Sequence, residues 1–143
     1  MQDRYLFRGK RIDNGEWVQG NFVHSEDSED GWETLIIPVV ESNMYTDGGI
    51  RGNLGFENWF QVNKNTICQC TGLKDKNSNL IWENDIVETQ CGKAVVVWDK
   101  SEWRIKWIDD LIWRKDLHYW VNDNSWRIEV IGNKFDNPEL LEV

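Results

Sequence analysis

Apolar and polar side chains alternate one by one in two stretches of the C-terminal half. Trp103, Ile105 and Trp107 alternate with Arg104 and Lys106; Trp126, Ile128 and Val130 alternate with Arg127 and Glu129. A period of two puts one row inside a sheet and the other in water. The pattern predicts strands with Trp103, Ile105, Trp107, Trp126, Ile128 and Val130 facing inward. Further short strands are expected over 67–73, 86–90 and 93–98, with Cys91-Gly92 closing a tight hairpin between the last two. Trp82-Glu83-Asn84-Asp85 reads as a corner, because Asn84 tolerates the left-handed conformation. Short strands at this spacing indicate a small barrel.

The N-terminal half is less regular. Residues 5–22 read as a hairpin turning at Asn14-Gly15, a pair that permits a type I′ turn. The apolar run 35–40 is interrupted by Pro38, which predicts an edge strand or a strand end. Residues 25–31 are polar, acidic and loop-like. Residues 41–55 hold four glycines and little periodicity, and predict a long mobile loop. Two short helices complete the reading. Trp113, Leu117 and Trp120 are spaced i, i+4, i+7 after Asp109-Asp110. Asn137-Pro138-Glu139 orders an N-cap residue, an N1 proline and an early acid.

At 143 residues the chain can bury a core without covalent staples, as one domain or two small lobes. Three cysteines leave one unpaired in any monomer, which suits a reducing compartment. No apolar run approaches the 18 residues of a membrane span, and MQDRYLFRGK lacks an apolar signal segment. The expected location is the cytosol, without a membrane. The net charge is −9, and residues 25–60 hold eight acids against Arg51 alone. Such a balance disfavours direct nucleic-acid binding, which draws its affinity from cations. Arg4, Arg8, Lys10 and Arg11 form a small basic cluster that reads as a solvated strand face.

Candidate chemistry is sparse. Cys68 and Cys70 share one strand face, but C-x-C is a poor match to zinc-ligand spacing, and neither histidine lies near in sequence. They read as small buried hydrophobes, and no metal or cofactor is expected. His24 and His118 are the only histidines, and no hydrolase, metalloprotease or phosphate-loop spacing occurs. Asp75, Glu83 and Asp85 could serve as acid and base, yet Asp also builds turns by accepting nearby backbone N–H bonds. Turn-building is the expectation, and no catalytic residue is assigned. Six of the ten tryptophans fall between Trp98 and Trp126. They suit a stacking surface, or a core and subunit interface. Trp113, Leu117 and Trp120 lie outside the clear strands and form the candidate interface.

Three stretches carry a resemblance: FRGKRIDNGEWVQGNF (Phe7–Phe22), TGLKDKNSNLIWENDIV (Thr71–Val87) and IEVIGNKFDNPELL (Ile128–Leu141). They resemble the YopX-like family of phage and prophage proteins, over both ends and the middle of the chain. The resemblance is absent from about 41–58 and weak from about 99 to 125. It implies an SH3-like barrel for the C-terminal half and a setting in the bacterial host cytosol. It implies no particular reaction. Asn84 stands where the family usually has Gly, and Cys68 and Cys70 stand where it has Gly and an aromatic.

The combined expectation is a mainly-β protein. An N-terminal β-hairpin region (1–65) with an acidic mobile loop packs beside a C-terminal SH3-like small barrel (66–143), with one or two short helices. The expected role is a non-catalytic module that binds a host or phage protein, with homo-oligomerisation suggested by the tryptophans. The alternatives are an enzyme or binding protein acting on nucleotides or nucleic acid, and an acidic decoy of a host nucleic-acid-binding protein.

Overall fold

The chain divides into two compact units, Tyr5–Cys68 and Met1–Arg4 with Gln69–Val143. The computed structural model describes residues 2–26, 33–48, 52–109, 113–121 and 128–142. Trp126, Asp110 and most of the acidic stretch 25–31 lie outside the described residues. The protein is mainly β, as its alternation predicts.

The N-terminal unit contains β1 (Phe7–Lys10), β2 (Trp17–His24), β3 (Thr34–Ile37), β4 (Met44–Thr46), β5 (Leu54–Phe56) and β6 (Phe60–Gln61). One half of β2 pairs with β1 (Phe7↔Gly20 to Lys10↔Trp17), and the other with β3 (Asn21↔Ile37 to His24↔Thr34). β3 then pairs with β6. The segments that follow β1 and β6 meet each other. Ile12 N–H donates to the Gln61 carbonyl at 3.0 Å, Asn63 N–H to Lys10 at 2.9 Å, and Arg11 bridges Val62. The four strands therefore curl until their outer members touch through a single bridge. Gly20 permits the curl: a Cβ there would lie 2.2 Å from the Ile37 carbonyl oxygen. Ile36, Val62 and Cys68 are buried in this unit.

The β1–β2 turn differs from the expected type I′. Only Gly15 takes positive φ (73°), and Asn14 does not. Gly15 N–H donates to Arg11, and the Asn14 carboxamide oxygen accepts Glu16 N–H, so the loop is wider than two residues. Pro38 does end a strand. The expected structureless loop over 41–55 is corrected, because β4 and β5 form a hairpin there. Its anchor is the buried Asn43, whose side chain donates to the carbonyls of Pro38 (3.1 Å) and Asn58 (2.9 Å) and accepts Asn58 N–H.

The C-terminal unit contains all but the first residue of β7 (Cys68–Lys74), then β8 (Leu80–Trp82), β9 (Asp85–Thr89), β10 (Gly92–Asp99), β11 (Glu102–Trp107), helix α1 (Leu117–Val121) and β12 (Glu129–Asn133). β7 pairs with β8, and a second sheet has the order β11-β10-β9-β12. Among the described residues this sheet is open, so the expected SH3-like barrel does not close here. The outer edge of β11 is occupied by residues 115–116: Ile105 N–H donates to Lys115, and Arg104 bridges Asp116. β12 lies at the opposite edge, on β9.

The alternation does set the core. Ile105, Trp107 and Ile128 are buried with Ile81, Val87, Ala94, Val96, Leu117 and Trp120, and Trp103 and Val130 pack against them half-buried. The C-terminal turn is a 3-10 helix, Pro138–Leu141, with Asn137 at its N-cap. The Asn137 side chain makes no capping bond; its oxygen accepts Asn133 N–H instead.

Candidate functional site

The conspicuous acids of Thr71–Val87 are spent on architecture. Asp75 is buried, and its carboxylate accepts the N–H groups of Asn77, Asn79 and Val130, each at 2.9 Å. Asp85, also buried, accepts Trp82 N–H at 2.8 Å. Glu83 accepts Gln69 N–H at 3.2 Å. These are turn and strand contacts, and each carboxylate has a backbone partner.

Cys68 and Cys70 are buried, whereas Cys91 is exposed in the β9–β10 turn. Among the described residues, no group of three His, Cys, Asp or Glu side chains is placed to hold a metal. His24 is bonded to Thr34 Oγ1 and Glu26 Oε1, both at 2.9 Å, and the histidine contact holds Glu26 below the usual carboxylate range.

The structure separates the three residues of the expected interface. Leu117 and Trp120 are the inner face of α1, at 0% and 2% exposure, and pack in the core of the C-terminal unit. Trp120 meets Trp107 edge-to-face at 5.4 Å, and its indole N–H donates to the Arg114 carbonyl. Trp113 precedes the helix and is 51% exposed. Of the three, only Trp113 offers surface.

The N-terminal unit offers more. An open cleft of about 500 Å³ lies between the loop after β1 and the segment after β6. Arg11, Lys64 and Glu33 supply its charge, Lys10 lines it with its ammonium over the Trp17 ring, and Ile12 and Val62 form its apolar wall. A second hollow of about 200 Å³ shares Ile12 and Gln61 with it and adds Asp13, Trp59 and Phe60. The local chemistry fixes these walls. Asn63 caps the 3-10 turn Lys64–Thr66, its side chain accepting Asn65 N–H. Thr66 Oγ1 accepts Lys10 N–H at 2.9 Å and donates to the Asn63 carbonyl at 2.7 Å. Arg11 donates two hydrogen bonds to Asp13 (2.9 and 2.6 Å) and lies 4.3 Å from the centre of the Phe60 ring. Those bonds hold the Asp13 carboxyl below its usual range. Lys64 and Glu33 form a looser pair at 3.7 Å.

The basic cluster read from the sequence is thereby divided. Arg8 and the Lys10 ammonium both lie over Trp17, Arg4 belongs to the other unit, and Arg11 and the rest of Lys10 line the cleft. Lys64, Glu33 and Trp59 were not foreseen, because pairings between distant segments bring them there.

The chain is mainly β, with two small antiparallel units, three acids of Thr71–Val87 bonded to backbone N–H groups and an open charged cleft in the N-terminal unit. The chain belongs to the YopX family: the family described as YopX protein matches residues 6–142. The crystal structure of protein EF1440 from Enterococcus faecalis is similar in fold, with a TM-score of 0.58 at 21% identity. That match covers 95% of this chain and 96% of the other. No curated protein matches the chain. Among the described residues, no helix is long and apolar enough to cross a membrane.

Proposed function

We propose that the chain is a non-catalytic interaction module of a phage or prophage, and that its N-terminal unit binds a host or phage protein in the bacterial cytosol. One observation carries this reading. Among the described residues, ten of the twelve large apolar side chains that stand exposed belong to the N-terminal unit: Tyr5, Ile12, Phe22, Val23, Val39, Val40, Met44, Tyr45, Leu54 and Trp59. Concentrated exposed apolar surface marks interaction sites in soluble proteins. Met44 and Leu54 share one face of the β4–β5 hairpin, and a hairpin of two three-residue strands gains little stability alone. The tryptophans that suggested self-association are partly used inside the chain, since Trp82, Trp107 and Trp120 are buried.

The test is capture of partners by the full chain from host cells carrying the phage, with self-association read by sedimentation. Met44→Ser/Leu54→Ser should lose the partner while keeping the thermal transition. Trp98→Ala and Trp113→Ala should retain it. Retention by the hairpin variant, or loss with the Trp variants alone, would contradict the reading.

A further inference from the structure

We propose that Asn14 is a site of spontaneous deamidation, and that the hydrogen bond from Gly15 N–H to the Arg11 carbonyl gates the reaction. Asn14-Gly15 is the one Asn-Gly pair in the sequence, and both residues are exposed in the loop between β1 and β2.

The chemistry needs water alone as co-reactant. The Gly15 nitrogen gives up its proton to solvent and forms a bond to the side-chain carbonyl carbon of Asn14. The bond from that carbon to Nδ2 breaks, and the nitrogen takes up a proton and leaves as ammonia. Water then opens the resulting five-membered imide at either carbonyl. One opening gives an aspartate. The other gives an isoaspartate, in which the main chain runs through the side-chain carbon. Water enters, ammonia leaves, and no electron is transferred.

The loop holds the reacting groups together and also restrains them. Gly15 places no side chain beside its nitrogen. Asn14 Oδ1 accepts Glu16 N–H at 2.9 Å, which folds the carboxamide back over Gly15 and polarises the carbonyl under attack. The leaving nitrogen, Nδ2, is held by a longer bond of 3.3 Å to Glu16 Oε2. Against these, Gly15 N–H donates to the Arg11 carbonyl at 2.9 Å, and Arg11 N–H donates to the Glu16 carbonyl at 2.9 Å. An N–H engaged in this way keeps its proton until the loop opens, so local opening sets the pace.

The products alter the rim of the cleft, which Arg11, Ile12 and Gly15 line. In the aspartate product a carboxylate replaces the group that donates to Glu16, and like charges meet there. In the isoaspartate product the main chain between Arg11 and Glu16 is longer by one carbon, and the two backbone bonds that close the loop lose their register.

The test is incubation of the full chain at neutral pH, folded and in urea, with peptide mapping by mass spectrometry. Conversion is expected first at Asn14 in both states. It should run about fivefold or more faster in urea, the factor for loss of one backbone hydrogen bond. In the folded chain it should track deuterium exchange at the Gly15 amide, and both should rise together with pH, since each needs the same N–H released. In the converted chain the Gly15 amide should exchange faster than in the intact one. Earlier conversion at another asparagine, equal rates folded and in urea, or a Gly15 amide that exchanges while Asn14 stays intact would overturn the proposal. Unchanged Gly15 exchange after conversion would contradict the altered rim.

Discussion

The carboxylate of Asp75 accepts the backbone N–H of Val130 at 2.9 Å, across 55 residues of chain. Its other oxygen accepts Asn77 and Asn79, so one buried side chain closes the 75–79 turn and ties that turn to β12. Asp75→Ala strands three backbone donors and should cost about 3–5 kcal/mol. Asp75→Asn keeps one acceptor oxygen and should cost about 2 kcal/mol. Urea unfolding of the full chain measures both. Equal loss in the two variants would place the stabilisation in packing rather than in hydrogen bonds.

Asn84 sits at φ 70°, between an N–H bonded to Val96 and a carbonyl bonded to Lys134. Asn84→Gly should be neutral or slightly stabilising. Asn84→Val should destabilise by about 1–3 kcal/mol, because a β-branched side chain resists the left-handed conformation. Equal melting temperatures for the wild type and the Val variant would contradict this account of the corner.

The β10–β11 hairpin turns through Lys100 and Ser101, both at positive φ (53° and 61°). A two-residue turn of this hand favours Asn-Gly. Lys100→Asn/Ser101→Gly should therefore raise stability by about 0.5–1 kcal/mol. Trp98 and Trp103 pair across this hairpin with ring centres 5.1 Å apart, so tryptophan fluorescence reports whether the tip keeps its geometry.

Arg114 donates two hydrogen bonds to Asp116, at 3.0 and 2.9 Å, and holds its carboxyl below the usual range. A depressed folded-state value stabilises the fold above the unfolded value of about 3.9 and loses that contribution as pH falls through the folded one. The pair is partly exposed, so the effect should stay under about 1 kcal/mol. Asp116→Asn should flatten the acid side of the stability profile by that amount. An unchanged profile would show that the pair contributes nothing.

Local chemistry made part of this fold legible. Asn84 announced its backbone, Pro38 ended a strand, and the alternation through Trp103, Ile105 and Trp107 gave the buried row. The misses depend on distant residues. The β4–β5 hairpin is anchored by Asn43 reaching Pro38 and Asn58, which no pattern within 41–55 reveals. The expected barrel depended on which segment would take the edge of β11, and residues 115–116 take it. The i, i+4, i+7 spacing placed Leu117 and Trp120 correctly on one face but extended the helix back to Trp113, which lies before its start. The cleft was illegible because Lys10 and Lys64 share it only through the bridge between Arg11 and Val62.

Hydrogen–deuterium exchange of the full chain, free and with its captured partner, tests the division of labour most directly. Added protection is expected within residues 10–13, 44–46 and 54–66, with unchanged exchange over 113–121. Protection confined to 113–121, with the N-terminal unit unaffected, would contradict it.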